Sequence, residues 1–114
     1  RAWPEAPRPV SADALLAERA LDGDPLARAA LHDRVAAPLQ AAGGGVLETV
    51  RAVLNSGGNL EASARSIFVH PNTVRYRLKR AAELTGVSVT DPRGSWTLQV
   101  ALALARLDDR SLWY

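Results

Sequence analysis

Cysteine is absent from the 114-residue sequence, which excludes disulfides, thiolate metal ligands and cysteine nucleophiles. No apolar run approaches the roughly 18 residues of a membrane-spanning helix. The first residues also lack the charged, apolar and small-residue succession of a signal peptide. These absences fit a reducing compartment, and we expect a cytoplasmic protein with no membrane partner. Because the sequence starts at Arg1 and not at Met, we also expect a fragment of a longer protein.

Signatures of catalysis are missing as well. The two histidines, His32 and His70, fall in different predicted helices with no carboxylate at ligand spacing. Zinc-protease, CxxC and nucleophile-elbow motifs do not occur. The three glycines at 43–45 do not form a phosphate loop, because the Lys-Ser/Thr pair of that motif does not follow them. We therefore expect no enzyme, no cofactor and no metal site. Aromatic residues are few (one Phe, two Tyr, three Trp), which disfavours RNA binding by base stacking.

Basic residues, in contrast, are concentrated in one stretch of a nearly neutral chain. The net charge is only +2, but residues 62–82 carry five basic side chains and no acidic one. Such a local basic surface is typical of nucleic-acid binding, although most charged helix faces are simply solvated.

The apolar spacing predicts helices throughout, with no βαβ alternation and no fixed repeat. Ser11 is a plausible cap for a helix to about Asp22, and Asp24-Pro25 begins a second helix to about Ala37. Pro38 is expected at or just past the end of that helix. The glycines at 43–45 are interpreted as a hinge between this helical pair and the remainder.

Four more helices are predicted after the hinge. They cover about Val46 to Asn55, Leu60 to Phe68, Pro71 to Thr85 and Ser95 to Asp108. Gly86 ends the third of these. The fold class is therefore all-α, a small helical bundle containing a helix-turn-helix and preceded by a helical pair.

The helix predicted over residues 71–85 has two chemically different faces. On a helical wheel, Val74, Leu78 and Ala81 cluster on the side expected to pack inward. The other side carries groups that bind phosphates and base edges in the DNA major groove. The candidate DNA-binding residues are His70, Asn72, Thr73, Arg75, Tyr76, Lys79 and Arg80.

The side-chain chemistry suggests a role for each candidate, beside a purely structural alternative. Arg75 and Lys79 can reach guanine or phosphates, and Asn72 can pair with adenine. His70 and Thr73 lie at the helix start, where free amides and the helix dipole favour a phosphate. Tyr76 suits a thymine methyl or a phosphate.

Each of these residues also has a possible role within the protein itself. Asn72 and Thr73 could satisfy the helix start, His70 could be its N-cap, and Tyr76 could pack on a neighbouring helix. Arg80, one turn beyond Tyr76, is better placed for the DNA backbone than for bases. Outside the candidate set, Arg77 could pair with Glu48 or Glu61.

The segment GNLEASARSIFVHPNTVRYRLKRAAELTG resembles the C-terminal helix-turn-helix of PucR-type transcriptional regulators, including those of the CdaR kind. It is also similar to the DNA-binding end of Fis-like proteins. The resemblance to the PucR-type domain covers about Val46 to Leu107, and its most specific block is HPNTVRYRLKR. It implies sequence-specific binding of double-stranded DNA by a regulator, with residues 71–85 as the recognition helix. One departure is Phe68, which stands where many helix-turn-helix proteins carry Gly, so we expect a different turn or a longer first helix.

Residues 14–39 are similar to the last helices of the GGDEF-like segment that precedes this domain in such regulators. The resemblance implies that residues 1–42 end a sensor region and that residues 43–114 form the DNA-binding domain. Any effector ligand would then bind a sensor region absent from this sequence. The last helix is apolar nearly all round, which favours a homodimer, although it could instead pack across the helices at 46–55 and 60–68.

A second hypothesis keeps the fold but changes the partner. The domain would then be a helical protein-interaction or dimerisation module whose basic face meets an acidic protein.

Overall fold

A computed structural model describes the backbone of residues 15–111 and the side chains through residue 108. Ser11, the proline-containing segment 1–10 and the tail 112–114 lie outside the described residues. Within the described range all regular elements are helices. They are α1 (Leu16–Leu21), α2 (Pro25–Leu31), a π-helical segment (His32–Ala36), α3 (Ala37–Ala42), α4 (Val46–Asn55), α5 (Leu60–Ser66), α6 (Pro71–Thr85) and α7 (Pro92–Ser111).

The start of α2 agrees with its sequence signals. The Asp24 carboxylate accepts hydrogen bonds from the amides of Leu26 (2.9 Å) and Ala27 (3.3 Å), and Pro25 occupies the first turn. An N-cap carboxylate satisfies amides that have no partner inside the helix, while proline there loses no helical hydrogen bond.

Pro38 does not end the helix that begins at Pro25, so that prediction is wrong. The chain continues through the π-helical segment His32–Ala36 and α3 until Gly43. The amide of Ala37 donates to the carbonyl of His32, five residues earlier. This widened turn directly precedes Pro38 and relieves the clash between its ring and the preceding turn that breaks a regular α-helix.

The hydrophobic core extends across the glycines at 43–45. Val35 and Leu39 before them, and Val46, Val50 and Val53 after them, are all buried in one cluster. The helices on the two sides of these glycines therefore share their packing.

The last helix does not pack across α4 and α5, which was the alternative to a dimer contact. Its main contacts are with α1, α2 and the π-helical segment, and not with α4 and α5. Glu18 of α1 accepts hydrogen bonds from Arg93 (2.6 Å) and Trp96 Nε1 (3.2 Å), which tie the start of α7 to the N-terminal helices. The side of α7 toward α4 carries polar residues and leaves a groove.

Candidate nucleic-acid interface

The helices α4, α5 and α6 pack on one another and hold the candidate residues in place. α4 spans the predicted bounds, Val46–Asn55. At the α4–α5 junction the buried hydroxyl of Ser63 lies 2.8 Å from the Ser56 hydroxyl and donates to the Asn59 carbonyl at 2.7 Å. Asn59 caps α5 by accepting from the Ala62 amide at 2.9 Å. These bonds fix the angle at which α5 leaves α4.

The turn between α5 and α6 corrects the expectation about Phe68. α5 ends at Ser66, so it is not lengthened, and Phe68 itself takes the left-handed conformation with φ 60°. The Phe68 amide donates to the Arg65 carbonyl (3.3 Å), and the Val69 amide donates to the Ala64 carbonyl (3.0 Å). This hydrogen-bond pair is the Schellman motif, in which glycine is usual at the left-handed position.

The same motif ends α4, where glycine fills the corresponding position. Gly57 (φ 69°) donates to the Leu54 carbonyl at 3.3 Å, and Gly58 donates to the Val53 carbonyl at 2.9 Å. The hydrogen bonds of the motif therefore form around Phe68 despite the steric penalty on a side chain at positive φ. Its ring gains little from packing, since Phe68 is 93% exposed.

α6 begins at Pro71 with His70 as its N-cap, as one of the structural alternatives predicted. The His70 Nδ1 accepts from the Asn72 amide at 2.9 Å, and the Thr73 amide donates to the His70 carbonyl at 2.9 Å. Because Pro71 has no N–H, the first turn keeps no free amide among these residues. Any phosphate contact there must come from side chains, for which the Nε2–H of neutral His70 is the remaining donor of its ring.

The orientation of α6 agrees with the helical wheel. Val74 and Ala81 are buried, whereas Leu78 is half-buried against the core. Gly86 ends the helix in the left-handed conformation with φ 73°. The face away from the core is therefore available for contact.

Most of the predicted DNA-binding residues lie on that exposed face. Arg75 Nη1 donates to Asn72 Oδ1 at 2.8 Å, so the two side chains lie together one turn apart. Tyr76 is 70% exposed and does not pack on a neighbouring helix. Arg80 pairs loosely with Glu83 at 4.0 Å. The exposed candidates are His70, Asn72, Arg75, Tyr76, Lys79 and Arg80, while Thr73 is half-buried.

Arg77 does not form the ion pair with Glu48 or Glu61 that the sequence left open. It is half-buried and donates to the Thr49 hydroxyl of α4 at 3.2 Å. A Cβ at Gly45 would lie only 2.6 Å from the Arg77 guanidinium carbon, and Gly45 has φ 79°. Glycine at position 45 therefore lets Arg77 join α6 to the start of α4, a role that the sequence pattern did not signal.

Among the side chains that the structure describes, residues 15–108, no group of three or more His, Cys, Asp or Glu is placed to hold a metal ion. Over that range no helix combines the length and the apolar character that crossing a bilayer requires.

Residues 46–104 match the family of the PucR C-terminal helix-turn-helix domain. That range begins with α4 and contains α5, the turn and α6.

Similar proteins are found in several bacteria. An uncharacterised protein of Mycobacterium tuberculosis is 53% identical over 106 residues, which are 93% of this chain and 26% of that protein. The purine catabolism regulatory protein of Bacillus subtilis is 37% identical over 62 residues, 54% of this chain and 12% of the relative. The chain thus spans about a quarter or less of the length of these relatives.

A solved structure has a similar fold. The crystal structure of a regulator of polyketide synthase expression from Bifidobacterium adolescentis aligns with a TM-score of 0.81 and 49% identity. The alignment covers 86% of this chain and 39% of the other.

Proposed function

Because the chain belongs to the PucR family of transcriptional regulators through its helix-turn-helix domain, we propose that it binds double-stranded DNA sequence-specifically with α6 in the major groove. The observation that carries this proposal is the division of α6 into two faces. Val74 and Ala81 are buried, and Arg75 and Lys79 are exposed on the same helix. A helix fixed by its apolar side can offer its cationic side to a duplex without unfolding.

The roles of the exposed residues follow from their chemistry. Arg75, held beside Asn72, can donate two parallel hydrogen bonds to guanine, and Asn72 can pair with adenine. Lys79 and Arg80, farther along α6, supply charge for phosphates. Tyr76 is exposed enough to contact a thymine methyl or a phosphate. His70 and Thr73 complete the surface at the start of the helix through their side chains.

Selection of bound sequences from random duplex DNA tests the proposal. We expect enrichment of a defined sequence, and binding to it should weaken log-linearly with added salt. Recovery of no preferred sequence would contradict specific recognition. Tight binding to an acidic protein in place of DNA would favour the interaction-module hypothesis.

Substitution of the exposed cations tests the placement of α6. Arg75→Ala should lower affinity for the selected sequence by about tenfold or more and relax the preference at one base pair. Lys79→Ala should weaken binding to all sequences and reduce the salt dependence. Arg19→Ala is the matched control, because it removes the same charge from α1, which packs on α2 and α7. Normal DNA binding by both α6 variants would show that α6 is not the recognition helix.

We also propose the division of the chain into residues 1–42, the end of a sensor region, and residues 43–114, the DNA-binding domain. The family match that begins at residue 46 supports this boundary. The shared core indicates that the two parts fold together. Amide hydrogen exchange in α1 and α6 measures this coupling. Loss of protection in both helices in one unfolding step supports joint folding, and loss in separate steps contradicts it.

A homodimer and an effector complete the proposal for the longer protein. Leu107 on α7 is 57% exposed and offers an apolar contact to a second copy. A dimer would read two half-sites about 34 Å apart, so a palindromic selected sequence supports it. The effector is proposed to bind the sensor region outside this sequence. A selected sequence without two-fold symmetry, bound by one copy, would contradict the dimer.

A further inference from the structure

A groove of about 260 Å³ lies between α4 and α7. Its polar lining consists of Arg51 and Asn55 from α4, with Gln99 and Arg106 from α7. Leu54 and Leu102 provide apolar walls. Because these two helices make few direct contacts, the groove separates the helix-turn-helix from the last helix.

The two arginines give this groove a positive charge. Among the side chains described, through residue 108, no acidic one lines it, and neither Arg51 nor Arg106 forms an ion pair. Glu48, one turn before Arg51, is exposed and makes no ion pair with it. Two guanidinium groups on one small cavity repel each other unless an anion lies between them.

Arg51 also carries an unsatisfied hydrogen-bond donor. Its Nε atom is buried and has no hydrogen-bond acceptor. Buried donors without an acceptor are rare in folded proteins, because burial removes the water that would otherwise bond to them. The Asn55 carboxamide is also without a hydrogen bond in the described part of the chain, so it can serve as a further donor.

We propose that this groove binds a small organic anion, with a carboxylate or phosphate group between Arg51 and Arg106 and apolar carbons against Leu54 and Leu102. Guanidinium groups suit these anions because they donate in a planar fork that matches two oxygen atoms. The bound anion would link α4 to α7 and so connect the helix-turn-helix with the N-terminal helices. This inference does not depend on the proposed DNA contact.

The direct test is NMR of the arginine side-chain Nε–H groups in the 114-residue chain. The probes are inorganic phosphate and benzoate, with benzamide as a neutral molecule of the same shape as benzoate. We expect both anions to shift the Arg51 and Arg106 signals saturably, in the millimolar range expected for such small probes. Benzamide should leave these signals unchanged.

Substitutions separate the site from general charge effects. Arg106→Gln should weaken benzoate binding by about tenfold, and it should keep the fold because Arg106 is exposed. Arg51→Met should have the same effect, and backbone spectra check its folding. Arg65→Gln is the control, since it removes an exposed arginine on α5 that does not line the groove.

Three outcomes would overturn the proposal. The first is that neither anion shifts the Arg51 and Arg106 signals. The second is that Arg65 shifts equally with them, which would indicate nonspecific ion binding. The third is that neutral benzamide shifts them as much as benzoate does, which would show that binding at the groove does not depend on an anion.

Discussion

Replacing Phe68 by glycine should stabilise the protein. Phe68 holds the left-handed position of the Schellman motif that ends α5, at φ 60°. A non-glycine residue in this conformation costs about 1–2 kcal/mol, because its Cβ approaches the following carbonyl oxygen. The same motif at the end of α4 has Gly57, so the protein itself contains the unstrained version.

The size of the effect follows from the exposure of the ring. Phe68 is 93% exposed, so removal of its side chain forfeits only about 0.3 kcal/mol of apolar burial. The greater backbone freedom of glycine in the unfolded chain offsets part of the gain. The net stabilisation is then about 1 kcal/mol, or roughly 4 °C in melting temperature for a chain of this length.

Thermal and urea unfolding, followed by circular dichroism, measure this change, with Phe68→Ala and Gly57→Ala as controls. Phe68→Ala removes the ring but keeps a Cβ at positive φ, so it should give no gain. Gly57→Ala introduces the strain at the matching motif and should cost about 1 kcal/mol. If Phe68→Gly is no more stable than Phe68→Ala, the assignment of strain to the backbone is wrong.

Three further substitutions test the packing and the electrostatics. Val74→Ala should destabilise the domain by about 2 kcal/mol in urea unfolding, because it opens a cavity under α6. An unchanged urea midpoint would show that Val74 is not packed in the core. Gly94→Ala should lower the free energy of unfolding by about 2 kcal/mol, because its Cβ would lie 2.1 Å from the Ser88 carbonyl oxygen. A variant with the same melting temperature as the parent would refute this. The Arg93 hydrogen bond is the main cause that lowers the pKa of Glu18 from 4.5 to about 2. The stability advantage of the parent over Glu18→Gln should therefore be complete above pH 4.5 and disappear as the pH falls toward 2; a pH-independent difference in melting temperature would contradict this.

Sequence signals predicted the helix-turn-helix best where the determinants are local. The bounds of α4 and α6 are confirmed at both ends. For α6 the determinants lie within one turn of each terminus: the His70 cap, Pro71 in the first turn and Gly86 in the left-handed conformation after the last. The apolar spacing also identified Val74 and Ala81 as buried, because helical periodicity alone decides which residues share a face.

Predictions that depended on neighbouring elements were less successful. Pro38 was expected to end a helix, but the π-helical segment before it accommodates its ring. An ion pair of Arg77 with Glu48 or Glu61 was one possibility, but Arg77 instead donates to Thr49 and lies against Gly45 at the start of α4. Phe68 was expected to exclude a left-handed turn, but the hydrogen bonds of the motif and the packing of Val69 hold it there.

Local sequence signals were enough to predict that this chain forms helices, where the central helices start and stop, and which side of α6 faces inward. Those properties depend on caps, glycines and periodicity, all of which act over a few residues. Where α7 packs, how Arg77 is held, and that Arg51 and Arg106 line one groove became clear only from the packing of the helices. Such contacts join residues far apart in the chain, and their geometry depends on how the helices fill space together.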